Sequence, residues 1–140
     1  LFTSNSNQRG GSLALVNAQG ITLRQVTLVT LPSKCVFSGA PTSGTSTAPA
    51  ASSTFLYCAI PRDAQKLQRS ALPDAYRKRE IFTVDDFHAI NLKDGARTLL
   101  FGDPARALDA RELTVVNNRL YFINRFDNNL YSITLRSTGN

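Results

Sequence analysis

The sequence predicts an all-β chain of short antiparallel strands, on three observations. Val, Ile, Leu, Thr, Phe and Tyr concentrate in short runs bounded by Asn, Asp, Gly, Pro and Ser, the pattern of strands joined by turns. Helical periodicity is nearly absent. Its one candidate, Asp63 to Leu72 with Leu67 and Ala71 four apart, is short and bounded by Pro61 and Pro73, which makes it a helical turn inside a loop. The third observation is an internal repeat, whose spacing sets the unit of the fold.

In chain order, the first strand is Leu1 to Ser4 and the second lies within Ser12 to Gly20, a stretch similar to Phe87 to Gly95 at an offset of 75. Ile21 to Leu31, alternating Ile, Leu, Val and Thr, crosses into the next unit. The strands Cys35-Val36-Phe37-Ser38, Leu56-Tyr57-Cys58-Ala59-Ile60 and Asp85-Asp86-Phe87-His88-Ala89-Ile90-Asn91-Leu92 follow. The last returns 43 residues later as Asn128-Asn129-Leu130-Tyr131-Ser132-Ile133-Thr134-Leu135. Each copy opens on a polar turn pair and then alternates. One face carries His88, Ile90 and Leu92, and its equivalent carries Tyr131, Ile133 and Leu135.

The strand Leu56 to Ile60 recurs as Leu120-Tyr121-Phe122-Ile123-Asn124 at an offset of 64. The difference of 21 between the two offsets measures an insertion at 62–82. Before the second copy, Leu113-Thr114-Val115-Val116 and Arg119-Leu120-Tyr121-Phe122 flank Asn117-Asn118. Asn tolerates the positive φ of a type I′ turn, so this is a tight hairpin. Pairing Val116 with Arg119 sets Leu113 opposite Phe122. Placing Cys35 opposite Cys58 puts both cysteines in the equivalent cross-strand site and centres their hairpin in a second insertion, 39–54.

A spacing near 43 with about four short strands per unit is that of a propeller blade, too small to bury its own faces alone. The expected fold is about two and a half four-stranded antiparallel blades of a β-propeller in a single partial domain, 1–140. Residues 1–20 end one blade, 21–97 form a blade with loops inserted at 39–54 and 62–82, and 98–140 form the next. A β-sandwich is the alternative, since regularly spaced short strands also describe that fold. The collinear repeat favours the propeller.

The composition narrows the function classes. A hydrophobic content of 42% suffices for an ordinary core, and no apolar stretch approaches the length of a membrane span. The chain begins at Leu1 with no charged leader, so it reads as a mature product or a piece of a longer protein. The net charge of +6 favours anionic partners only where it is clustered.

Cys35 and Cys58 are the sharpest constellation. Redox work prefers close spacing and zinc wants four ligands, whereas cross-strand neighbours lie within disulfide range. A structural disulfide is expected, which places the chain outside a reducing cytosol. His88 is the only histidine and no nucleophile elbow accompanies it, so it reads as a partly buried structural residue. Asp85-Asp86 and Asp127-Asn128-Asn129 read as turn residues; adjacent strand carboxylates point to opposite faces, and no calcium-loop spacing is present. No metal or cofactor is called for.

Within the 62–82 insertion, the 62–80 loop is the leading candidate for binding. Arg62, Lys66, Arg69, Arg77, Lys78 and Arg79 supply six of the 16 basic residues, alongside Tyr76. Such a loop can grip phosphate or an acidic glycan. Alternatively, Leu67, Leu72 and Tyr76 pin a solvated flap. The 39–54 loop, built from Gly, Ala, Pro, Ser and Thr without charge, ranks second.

The segments Gly11-Ser12-Leu13-Ala14-Leu15, Thr30-Leu31-Pro32-Ser33-Lys34-Cys35-Val36-Phe37-Ser38 and Leu56-Tyr57-Cys58-Ala59-Ile60-Pro61 carry a family resemblance. Pro73-Asp74-Ala75-Tyr76 and Asp85-Asp86 continue it. Through them the chain resembles the TolB-type and WD-repeat-like propellers, and looks like the last third of exported bacterial propeller proteins. Phe37 and His88 stand where Trp is common. The resemblance implies the fold, export, an upstream membrane anchor and further blades; it implies no catalytic residues.

The function expected is therefore a non-enzymatic extracellular or cell-surface module for binding or scaffolding, tethered through sequence absent here. Its partners are the remaining blades or further copies of the chain, with an anionic polymer or glycan at the basic loop. The alternatives are the propeller portion of a larger hydrolase and a self-assembling structural surface subunit.

Overall fold

Alternating apolar runs separated by turn residues give, among the described residues, ten strands in three antiparallel sheets. A computed structural model of the chain describes residues 2–4, 12–26, 28–38 and 55–135. The first sheet is β1 (Phe2–Ser4), β2 (Ser12–Val16) and β3 (Thr22–Val26). The second is β4 (Cys35–Phe37), β5 (Phe55–Pro61), β6 (Asp85–Asn91) and β7 (Arg97–Phe101). The third is β8 (Ala110–Val116), β9 (Arg119–Asn124) and β10 (Leu130–Thr134). Every sheet is a meander, in which neighbours along the chain are hydrogen-bonded neighbours.

The all-β class holds. The sequence divisions after residues 20 and 97 do not coincide with the sheet edges, because β3 pairs with β2 and β7 pairs with β6. The 39–54 loop lies outside the described residues. The 62–82 insertion carries α1 (Ala64–Gln68) and α2 (Asp74–Arg77). Asp63 caps α1 by accepting from the Gln65 N–H, so the expected helical turn forms there; α2 is additional.

Two registers follow from turn and side-chain chemistry. Val116 pairs with Arg119 across Asn117 and Asn118, whose φ values of 47° and 59° are those a two-residue type I′ turn demands. Cys35 pairs with Cys58, and the two are disulfide-bonded. In the third sheet Leu113 does not face Phe122 alone. The pairing shifts between Arg111 and Thr114, leaving Glu112 and Leu113 together opposite Phe122, with Glu112 at φ 55°. The extra residue makes a β-bulge.

The middle sheet is buried on both faces, which explains the nearly continuous apolar run of β5. Leu56, Cys58, Ile60 and Ile90 pack on one side with Leu28, Cys35 and Phe37. On that side Arg24 of β3 donates to the Leu92 and Asp94 carbonyls at 3.0 and 3.2 Å, lying against Gly95, where a Cβ would collide with the guanidinium. Ala59 and Phe87 face the other way, onto Ala110, Leu113, Leu120 and Phe122 of the third sheet.

The disulfide closes a loop between residues 23 apart, and β4 has only three residues with which to hold its place. Loop-closure entropy for that separation is worth about 3 kcal/mol. Reduction is expected to lower the melting temperature by roughly 10 °C. Thermal unfolding with and without reductant checks this, and coincident curves would contradict it.

Candidate anion-binding site

The insertion folds back onto its own sheet because its apolar residues are spaced to do so. Leu67 of α1 and Tyr76 of α2 are buried with Leu31, and Leu72 and Ile81 pack around them. The insertion thereby covers the end of the sheets at which β4, β6 and β8 begin.

Beneath it lies a buried cluster of charges. Lys34, at the end of a 3-10 turn leading into β4, is fully buried; its Nζ donates to Asp85, to Asp109 Oδ1 at 2.7 Å and to Thr83 Oγ1 at 2.9 Å. Asp109 also accepts from the Tyr76 hydroxyl at 2.8 Å, the Thr83 N–H at 3.0 Å and Arg125 Nη1 at 2.7 Å. Arg125 donates further to the Tyr76 and Ile81 carbonyls, with its guanidinium 3.7 Å from the Tyr76 ring centroid. Two cations thus meet two carboxylates, so the cluster is formally neutral.

The two carboxylates are treated differently. Burial would raise both. For Asp109 the Lys34 charge, with hydrogen bonds from Lys34, Thr83 and Tyr76, outweighs burial and holds the carboxyl below its ordinary range. Asp85 accepts from Lys34 and the Ala110 N–H through one oxygen only, and its Oδ1 is buried with no partner among the described residues. Burial wins there, and the Asp85 carboxyl is pushed up. Burial, followed by the neighbouring Asp109 charge, also raises the Tyr76 hydroxyl.

Above this cluster is a depression of about 300 Å³ lined by Ser33, Tyr76, Arg77, Arg79, Arg111, Glu112 and Arg125. Arg79 donates to the Arg125 carbonyl and lies over the Phe82 ring. Arg111 sits at the bulge; its Nη1 is 3.4 Å from Glu112, and its Nε is buried without a partner among the described residues. An oxyanion entering here meets guanidinium groups from the insertion and from the third sheet.

The residues marked in the sequence therefore divide. Arg77 and Arg79 line the depression and Lys78 is exposed beside them. Tyr76 forms the floor and is buried. Arg62 is turned away, paired with Asp86 at 2.7 Å. Lys66 and Arg69 lie exposed on α1, where Arg69 bonds Gln65. His88 is half-buried in β6 opposite Cys58; burial, then the Arg97 charge, lowers its pKa. Asp127 and Asn128 form a turn, with Asn128 at φ 59° and Asp127 accepting from the Asn129 N–H. Asp85 departs from the turn reading: it is the first residue of β6, and its carboxylate is needed inside. Arg111, Arg125, Lys34 and Asp109 carried no local motif, and only their apolar neighbours, as in Leu108-Asp109-Ala110, hint at burial.

The sign of each shift sets the pH dependence. Asp109 contributes stability present above the unfolded carboxylate value of about 4, lost as pH falls through its depressed folded value. Asp85 acts oppositely: its contribution weakens as pH rises from about 4 through its raised folded value. Asp109→Asn is expected to cost about 3–5 kcal/mol at neutral pH and to flatten the acid limb. Asp85→Asn should cost less and leave that limb in place. Urea unfolding as a function of pH checks the ranking, and equal costs would contradict it. Compared with protein-family models, curated proteins and solved structures, the chain matches none.

Proposed function

We propose that the chain is a section of a β-propeller serving as an extracellular binding or scaffolding module, completed by further blades or by copies of itself. The direction in which the sheets stack carries this reading. Leu56, Cys58 and Ile90 share the face that packs on Leu28, just past β3, and Ile90 lines a depression with Arg24 and Val26 of β3. Their sequence equivalents at the offsets of 64 and 43, namely Leu120, Phe122 and Ile133, share the face packed with Ala59 and Phe87 of the second sheet. The same face is thus turned toward the preceding sheet twice, head to tail, as blades stack around an axis. A sandwich of two sheets buries facing inner sides instead.

The strand counts support the same proposal. The sheets contain three, four and three described strands. By the repeat, among the described residues the first has no counterpart of β4 and the third none of β7. Among the described residues β10 is an edge strand, and Leu130 on it is 69% exposed. The disulfide supports a place outside the reducing cytosol. Among the described residues no helix is long and apolar enough to cross a membrane.

Binding rather than chemistry is favoured by where the polar groups are spent. Lys34, Asp85, Asp109 and Tyr76 are locked into one another under the insertion, leaving the arginine-lined depression as the contact surface. Native mass spectrometry of the non-reduced protein from its natural source tests the assembly. A complex well above the 15.3 kDa of this chain is expected; a lone folded 15.3 kDa species would contradict it.

A further inference from the structure

We infer that the depression binds the acidic sugars of an extracellular polysaccharide, a carboxylate seated among Arg77, Arg79 and Arg111 with the sugar face against Phe126. The proposal rests on the binding-module reading for its compartment alone. Arg125 is answered by Asp109 at 2.7 Å and Arg62 by Asp86. In the depression, Arg77, Arg79 and Arg111 are opposed only by Glu112, whose contact with Arg111 is 3.4 Å and joins residues adjacent in the chain. The pocket therefore holds an excess of about two positive charges, and the buried Arg111 Nε lacks an acceptor among the described residues.

A guanidinium gains most when its fork is already aimed, because less rotamer freedom is lost on binding. Arg79 is steered by its bond to the Arg125 carbonyl and by the Phe82 ring 5.7 Å away. Arg111 is set by the bulge at Glu112. The cluster below is formally neutral, so the ligand's charge is not consumed in repairing the interior.

The aromatic flank selects the ligand class. Phe82 stacks on Phe126 with centroids 5.2 Å apart, and Phe126 is 46% exposed. Arg79 belongs to both the depression and this step. A sugar ring offers an apolar face and, in a uronate, a carboxylate at its rim, which matches an aromatic beside a guanidinium fork. A volume of about 300 Å³ suits one or two sugar residues. Single-stranded nucleic acid also stacks on aromatics beside cations, but the compartment outside the reducing cytosol that the disulfide supports favours a polysaccharide.

The test is calorimetric titration of the non-reduced full chain with polygalacturonate, and separately with polyphosphate and single-stranded DNA. Arg77→Ser with Arg111→Ser is expected to weaken polygalacturonate binding at least about tenfold. Arg77→Ser alone, on an exposed side chain, gives a smaller loss in the same direction without threatening the fold. Lys66→Ser with Arg69→Ser removes equal charge from α1 and should leave affinity unchanged. Phe126→Ser should weaken the sugar polymer more than polyphosphate. The proposal is overturned if polygalacturonate does not bind, if the α1 variant weakens it equally, or if polyphosphate or DNA binds as tightly. Such a failure alongside a large complex by native mass spectrometry removes the sugar and leaves the module. Selective sugar binding by a lone chain does the reverse.

Discussion

The structure depends on one carboxylate. Asp109 receives hydrogen bonds from Lys34, Tyr76, Thr83 and Arg125, which belong to the turn before β4, to α2, to the approach to β6 and to the exit of β9. Its backbone takes part as well: its N–H donates to Asn124 Oδ1 and its carbonyl accepts from the Arg125 N–H. The second sheet, the third sheet and the insertion are consequently positioned against each other by direction-specific bonds rather than by hydrophobic burial alone.

Burying four charges is costly, and apolar replacements of similar volume often hold a fold equally well. What the cluster supplies here is placement. An apolar plug at this end of the sheets could slide; a carboxylate with five directed donors cannot without leaving charges unpaired. Asp85 shows the tension that remains, one oxygen bonded and the other without a partner among the described residues. Because Arg125 is neutralised within, the arginines above it are free to present net positive charge outward. Interior and surface are thus coupled through Tyr76, whose ring lies under Arg125 and whose neighbour Arg77 reaches the depression.

Much of the strand framework was legible because it is written locally. Asn117-Asn118 demanded a tight turn, alternation placed β6 and β10, the repeat placed β5 and β9, and the cysteines announced their own register. Sheet membership of β3 and β7 was not. Both are exposed along much of their length, with Leu23 and Leu99 in the open, so no one-sided burial marks the partner. Asp85 was read as a turn because its counterpart is Asn128, and only the fold brings Lys34 to it from 51 residues away. Half the candidate site was visible as charge density in one loop, through Arg77 and Arg79. The other half, Arg111 and Arg125, joins it across space from the third sheet, and the bulge beside Arg111 has no sequence signature, Glu112 being an ordinary residue held at a positive φ.

If the cluster governs how the sheets are set, the amides bonded to it open only when the whole fold opens. Amide hydrogen exchange measures this residue by residue. The account predicts that the Thr83, Asp109, Ala110 and Arg125 N–H groups exchange as slowly as those of Ala59 and Phe87 in the core of the middle sheet. Exchange as fast as in the exposed turns of α1 would mean that the insertion and the third sheet detach locally, and that the buried charges follow the packing instead of directing it.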